Sequence, residues 1–322
     1  MKAVQCVRYG SPDVLRLVDV SQPMPKENEV LVRIQATAAT PSDVAFRSGK
    51  PFLLRFFSGL SRPKVTPGTE LAGEVAAVGR GVTRFRPGDP IVAAAGTQYG
   101  AYAEYICLPE DGVIAKRPAN MSAAEAVHVT DGGLTALVFL RDHARLQPGQ
   151  SILINGASGS IGLFAVQLAK HYGAVVTGVC SGANAQLVES LGADRVIDYT
   201  RHDFTGDGQT YDVIFDAIGK SSFGRCRRSL KPGGVYMTAV PSARILLDMA
   251  RTKVGGDRRA LFAATGLSQR VENLVFLTQL YESGTIRSVV DRCYPLGEIV
   301  AAHRYVETGR KRGAVAIEVA LG

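Results

Sequence analysis

Residues 151–162, SILINGASGSIG, constrain the fold of this chain more than any other stretch. The apolar run Ile152, Leu153, Ile154 breaks into a glycine-rich turn, and the turn opens a helical pattern, LFAVQLAKHYG. Such a turn lets backbone N–H groups approach a pyrophosphate, and the helix N-terminus behind it adds partial positive charge. Against the pattern G-x-G-x-x-G the register falls on Ala157, Gly159 and Gly162, so alanine stands at the first glycine. Ser158, Ser160 and Ile161 complete the expected cradle. A second apolar pattern, VVTGV at 175–179, follows at the spacing a βαβ unit needs. A nucleotide site is the expectation; the alternative is a turn that serves only the fold.

The end of that second strand bears on which nucleotide. NAD-preferring folds place an acid on the ribose 2′-hydroxyl about twenty residues on. Here the segment reads Cys180-Ser181-Gly182-Ala183-Asn184, with no acid before Glu189. A carboxylate would repel a 2′-phosphate, whereas Ser181 and Asn184 can donate hydrogen bonds to it. Tyr199 and Arg201 follow in the next strand and loop, where Arg201 could supply charge or simply sit in solvent. NADPH is favoured over NADH.

At 322 residues the chain is long for one core and suggests two domains. A hydrophobic share of 46% with 20% charged residues excludes a disordered chain. The net charge of +8 invites a nucleic-acid reading, but the densest basic groups, RCRR at 225–228 and RKR at 310–312, are short and lack interleaved aromatics. They read as solvated faces, and no nucleic acid is expected as a partner. Cys6, Cys107, Cys180, Cys226 and Cys293 are scattered, with no C-x-x-C pair, which fits reduced thiols in the cytoplasm. The start, MKAVQCVRYG, alternates like a strand and has no signal-peptide core. No apolar run is expected to reach membrane-spanning length, and no membrane partner is expected. The apolar stretch 53–60, LLRFFSGL, reads as a cleft wall.

The first third is strand-rich: 29–38, 71–79 and 101–108 alternate, with turns at 80–81 and 85–89. From Ser122, an N-cap completed by Glu125, the pattern turns helical and then alternates strand with helix, predicting a parallel sheet covered by helices. Strand character returns in IRSVVDRCY and AVAIEVAL. The two ends are therefore expected to build one domain together.

These segments, in order, carry a family resemblance: TPSDVAFRSG (40–49), PGTELAGEVAAVG (67–79), GAYAEY, GLTAL (133–137), INGASGSIG, SLGADRVIDY (190–199), FDAIG (215–219) and LKPGGVYM (230–237). Over essentially its full length the chain resembles the medium-chain dehydrogenases/reductases, in the zinc-lacking quinone oxidoreductase branch. The resemblance implies an α/β protein with a discontinuous GroES-like catalytic domain at 1–122 and 284–322. An inserted Rossmann domain binding NADP is expected at 123–283, with a cleft between the two and a homodimer as the assembly.

Zinc-dependent relatives place a Cys before the S/T-D dipeptide and a His in a G-H-E segment; here those positions are Thr40 and Thr69. Threonine hydroxyls are poor ligands for an ion that prefers thiolate and imidazole. Glu70 is the one candidate ligand left in that motif, so no metal is expected. Without a Lewis acid the substrate must accept hydride readily, as quinones and α,β-unsaturated carbonyls do, and the protein supplies orientation and hydrogen-bond donors.

By the resemblance, the substrate site is lined by Thr40, Asp43, Phe52, Phe56, Thr69 and Tyr99. Thr40, Asp43 and Tyr99 are the catalytic candidates; Thr40 could instead hold its loop, and Tyr99 could pack as a strand-end aromatic. Thr135 falls where the family contacts the nicotinamide end of the cofactor. Phe262 and Ala264 fall where relatives fix the carboxamide through backbone atoms, and Ala217, after Asp216, passes beside the cofactor. His128 and Asp131 could relay a proton, although a structural histidine is the plainer reading. Two other functions stay open: a cofactor-binding regulatory protein without catalysis, and an enoyl-thioester reductase.

Overall fold

The computed structural model describes residues 1–320 apart from 51, 53, 54, 56–58, 64 and 268, and excludes the side chain of residue 267. Phe56 and most of the 53–60 stretch therefore lie outside the described residues. The chain forms two compact units, one made of Met1–Asp131 with Gln269–Gly322, the other of Gly132–Ser268. Compactness puts the breaks at 131/132 and 268/269, whereas the sequence pattern suggests 122/123 and 283/284. The difference is mainly the helix Val271–Glu282, which packs on the strand Val113–Lys116 of the first unit.

The first unit is built on one mixed sheet. Its strands run in the order Val290–Pro295, Ala314–Glu318, Glu29–Ala38, Glu70–Val78, Pro90–Ala94 and Val113–Lys116, with Tyr105–Pro109 also paired to Glu29–Ala38. All these pairings are antiparallel except that of the two C-terminal strands. The C-terminal strand Ala314–Glu318 pairs with Glu29–Ala38, so the two ends of the chain share one core. That core is aliphatic, with Val30, Val32, Ile34, Leu71, Ile91, Val315 and Ile317 almost wholly buried.

The second unit is a six-stranded sheet, parallel throughout, in the order Arg195–Asp198, Val175–Cys180, Ser151–Asn155, Tyr211–Asp216, Leu230–Thr238, Arg259–Phe262. Counted within the unit this is 3-2-1-4-5-6, the doubly wound order. Ile152, Leu153 and Ile154 are fully buried, as a strand covered on both faces must be. The strand order, not the strand direction, reverses between Ser151–Asn155 and Tyr211–Asp216, which places the topological switch point at the glycine turn.

One expectation is corrected. The helical stretch Ala123–Ala144 has 22 residues and is apolar enough to cross a bilayer by length and composition, but 72% of its apolar window is buried inside the protein. It is a core helix, with wide π-helical turns at Val129–Gly133 and Val138–Ala144.

Candidate active site

In the second unit the strand Ser151–Asn155 ends at Gly156, whose φ of +85° only glycine adopts readily. The left-handed turn thus falls one residue before Ala157, which explains how alanine is tolerated at the first fingerprint position. The N–H groups of Gly156 and Ala157 both donate to the Val179 carbonyl at 3.0 Å, tying the turn to the neighbouring strand. Gly159 caps the helix Ser160–His171 without any side-chain cap. The first N–H groups of a helix have no partner inside it, and at this terminus they include those of Ile161 and Gly162. A side chain at Gly162 would put its Cβ 2.1 Å from the Gly156 carbonyl oxygen. Position 162 is therefore closed to a side chain, and backbone meets backbone there, as a pyrophosphate cradle requires.

At the far end of this cradle, Asn184 Nδ2 donates to Ser158 Oγ at 3.1 Å, and Ser181 begins the short turn Gly182–Asn184. Tyr199 is exposed, and its N–H donates to the Cys180 carbonyl at 3.1 Å. Asp198 is an acid that the linear segment does not reveal, because it arrives on the adjacent strand, opposite Cys180. Hydrogen bonds from Thr200, backbone and hydroxyl, hold its carboxyl below the ordinary range, with smaller help from the Gly182 N–H and from Arg201. Arg201 Nε lies 3.9 Å from Asp198, so part of its charge is directed at that acid.

At the nicotinamide end expected from the sequence, Thr265 Oγ1 and Thr135 Oγ1 are 3.3 Å apart. Ala217 is buried, and its N–H donates to the Asn155 carbonyl at 3.1 Å. The N–H of Phe262 is taken up by the Met249 sulfur at 3.2 Å, while Ala264 is exposed. Asp216 accepts from Asn155, Ser221, Lys220 and Tyr236, a saturated carboxylate that fixes the loops after two strands.

The first unit gathers a second set of polar groups. Thr40 is the N-cap of the helix Pro41–Ser48, and Asp43 completes a capping box. Thr40 Oγ1 donates to Asp43 Oδ2 at 2.7 Å, and the Asp43 N–H donates back to Thr40 Oγ1 at 3.2 Å. Both residues are buried. Burial pushes the Asp43 carboxyl up to about 6, against hydrogen bonds from Thr40 and Tyr102, and nearby Asp131 adds to the rise.

Glu70, at the start of Glu70–Val78, keeps part of its surface exposed, but its Oε2 is shut from solvent and has no hydrogen-bond partner among the described residues. Burial, then the charges of Asp43 and Asp131, hold its carboxyl well above the ordinary range. Against three carboxyls stands Lys311, whose Nζ lies 3.9 Å from Asp131 Oδ2. Lys311 was read from sequence as part of a solvated basic run, but its side chain is only 8% exposed. Burial and the neighbouring acids thus favour the neutral form of Glu70.

Tyr99 sits beside this cluster in a strained backbone, φ 56° and ψ −164°, and its ring lies 4.6 Å from that of Phe46. A non-glycine residue there costs about 1–3 kcal/mol and is held by its surroundings. Burial first, then Asp43 and Glu70, raise the Tyr99 phenol above its usual range, so it stays a donor at neutral pH. Phe52 is exposed, with the Arg55 guanidinium 5.2 Å from its ring.

The sequence missed the layer behind Asp43. Tyr102 is wholly buried, donates to the Ala38 carbonyl at 3.1 Å and meets His303 Nε2 at 3.1 Å. Burial, helped by Arg47, lowers the His303 imidazole to about 3 and leaves it neutral. The buried Arg47 guanidinium donates to the Gly10 carbonyl and to Glu307. Tyr102 and His303 are 201 residues apart, and nothing local marks either. His128 is fully buried, and its Nδ1 accepts from the Val289 N–H at 3.0 Å, a structural bond.

The donor set does not suit zinc. Thr40's hydroxyl is committed to Asp43, and the sulfur and imidazole ligands that zinc prefers are missing from the Thr40, Thr69 and Glu70 positions. Among the described residues no group of three His, Cys, Asp or Glu is arranged to hold a metal ion.

A doubly wound sheet with a glycine-rich cradle, in one chain with a mainly antiparallel unit carrying a buried polar cluster, defines a two-domain nucleotide-dependent dehydrogenase/reductase. Comparison with known proteins makes this specific. Residues 26–118 match the family model for the alcohol dehydrogenase GroES-like domain, and residues 191–317 that for zinc-binding dehydrogenase. The chain is 32% identical over 330 residues to the chloroplast envelope quinone oxidoreductase homolog of Arabidopsis thaliana, covering 99% of this chain and 98% of that protein. It is 32% identical to the chloroplastic NADPH-dependent alkenal/one oxidoreductase of Arabidopsis thaliana, over 98% of this chain and 79% of that one. The structure of the quinone oxidoreductase from Coxiella burnetii superposes with a TM-score of 0.90 at 30% identity, covering 99% of both chains. The chain belongs to the medium-chain dehydrogenases/reductases, in the quinone oxidoreductase branch.

Proposed function

We propose that this protein is an NADPH-dependent reductase of quinones and α,β-unsaturated carbonyls that works without a metal. The full-length likeness to a quinone oxidoreductase and to an NADPH-dependent alkenal/one oxidoreductase supports the reaction class. The observation that carries the metal-free reading is Thr40: at a position where zinc-dependent relatives place a cysteine, its hydroxyl is tied into a helix cap.

When bound, NADPH supplies the hydride. The backbone from Gly156 to Gly162 would hold its pyrophosphate on the uncapped helix terminus. Ser181 and Asn184 would donate to the 2′-phosphate, with Tyr199 and Arg201 nearby. Thr135, Ala217, Phe262 and Ala264 would place the nicotinamide end. In the other unit Tyr99, kept protonated by burial and then by its acidic neighbours, would donate to the substrate oxygen as negative charge develops there. Thr40 and Asp43 would fix the wall of that site, with Asp43 as a carboxyl able to exchange a proton near neutrality. We read the protein further as a homodimer of the cytoplasm, in keeping with a set of free cysteines of which four are buried.

The test is a titration with NADPH and NADH followed by turnover with 9,10-phenanthrenequinone and an enone panel, alongside elemental analysis. NADPH consumption by zinc-free protein is the expected result. Cofactor binding without turnover across the panel would favour a regulatory binder, and stoichiometric zinc in the active protein would sink the metal-free mechanism.

A further inference from the structure

Residues 49–69, GKPFLLRFFSGLSRPKVTPGT, carry four basic residues and no acid, although they run between Asp43 and Glu70 of the carboxyl cluster. Lys50 and Arg62 are exposed, as solvated charges usually are. Arg55 is different. It is partly buried, and its guanidinium carbon lies 4.4 Å from the centre of the Tyr9 ring and 5.2 Å from that of Phe52. Its Nε donates to the Gly49 carbonyl at 3.3 Å.

Gly49 makes room for this approach. Its φ of +63° suits glycine, and a Cβ there would come 2.6 Å from Arg55 Nε and 2.7 Å from Tyr9 Cδ1. Tyr9 is itself anchored, its hydroxyl donating to the Gly59 carbonyl. These contacts fix the guanidinium but leave its charge unanswered. Among the described residues its one hydrogen-bond acceptor is the Gly49 carbonyl, so neither Nη group meets a carboxylate. A guanidinium stacked on aromatic rings keeps its Nη edge for a carboxylate, whose two oxygens match the fork.

This cation borders the wall that carries Tyr99. Tyr9 is close enough to Tyr99 for its charge to oppose ionisation of that phenol. The Tyr99 ring lies 4.6 Å from that of Phe46, whose helix, Pro41–Ser48, is capped by Gly49. We propose that Arg55 determines substrate specificity, selecting quinones or enones that carry a carboxylate apart from the carbonyl undergoing reduction. The inference rests on the proposed reductase function and adds the class of substrate. An arginine that only braced its loop would treat charged and neutral substrates alike.

Two substrates with one electrophile isolate the charge: 4-(3-oxobut-1-enyl)benzoate, whose carboxylate lies across the ring from the enone, and its methyl ester. Arg55→Gln should lower kcat/KM for the benzoate by about tenfold or more, mainly through KM, and leave the ester within about twofold. Arg55→Lys keeps the charge and should restore part of the loss. Salt at about 0.5 M should raise the wild-type KM for the benzoate and not for the ester. Calorimetric titration of the benzoate into NADP+-loaded protein makes the same comparison with no hydride to transfer, and there too Arg55→Gln should weaken binding about tenfold. Melting temperature and NADPH affinity should keep their wild-type values. Equal losses on benzoate and ester, or no loss on either, overturn the inference. So does a fall in NADPH affinity, which would give Arg55 to the cofactor instead. Failure of the reductase reading shows separately, as no turnover by the wild type of the ester or of 9,10-phenanthrenequinone, and the titration still decides the role of Arg55.

Discussion

In the nucleotide-binding unit the glycine turn makes its site from seven consecutive residues, 156–162, and mostly from their backbone. In the other unit Asp43, Glu70, Asp131 and Lys311 come together from four separate stretches, and side chains do all the work. The first arrangement fails when anything is added, because a Cβ at Gly162 has nowhere to go. The second fails when a charge or hydroxyl is removed, because burial and then neighbouring charges and hydrogen bonds set the protonation of Asp43 and Glu70. Local backbone sites are thus sensitive to volume, and assembled side-chain sites to electrostatics.

The sharpest way to break this comparison is Gly162→Val. Contact at 2.1 Å with the Gly156 carbonyl forces the turn apart; misplacement on this scale should weaken NADPH binding about 100-fold or more. Isothermal titration showing affinity within a few-fold of wild type would mean the cradle tolerates volume after all. Tyr99→Phe comes next. If the phenol is a donor to developing negative charge, kcat with a quinone should fall about 100-fold at unchanged melting temperature, and an unaltered kcat would reduce Tyr99 to a packing aromatic.

Asp43→Asn probes the electrostatic side through stability. The native carboxyl sits at about 6 against an ordinary 3.8. The fold therefore binds an extra proton between those values, and stability from this group is full at low pH and is lost as pH rises through 6. Removing it should abolish a decline of about 3 kcal/mol across that window. Acids held low, such as Asp194 and Asp212, pull the other way in both proteins and cancel in the difference. Denaturant titrations of both proteins from pH 4 to 7 give the slope; identical slopes would show that Asp43 is not the group responsible.

The smallest effect returns to the cradle. Ser181→Asp should cost about tenfold in NADPH affinity, a like-charge repulsion at a partly exposed site, and tilt preference toward NADH. Asp198→Asn should move preference the opposite way by a few-fold if Asp198 opposes the 2′-phosphate. Should it instead weaken NADH binding, Asp198 grips the ribose, and the cofactor preference read from the linear segment is reversed.

Much of the nucleotide-binding unit was legible because its signals are local. Strand, turn and helix lie within twenty-one residues, 151–171, and glycine marks where backbone must approach backbone. The same locality explains what lay out of view there. Asp198 reaches the Ser181 end only through strand pairing, so a reading along the segment finds no acid. In the other unit Thr40 and Asp43 were found three residues apart, as a capping box allows. Tyr102, His303 and Arg47 were not, since their partners are 37 to 260 residues away.

By itself the sequence determined the parallel sheet and the glycine turn, because each follows from periodicity or from residue chemistry at neighbouring positions, and through the family resemblance it pointed to the doubly wound order and to threonines where zinc ligands would stand. Only the tertiary structure decided which acids are buried close to one another, that Lys311 is buried against Asp131, and that Arg55 lies over the ring of Tyr9. Those properties depend on burial and on distance through space. A chain records neither until distant segments are packed against one another.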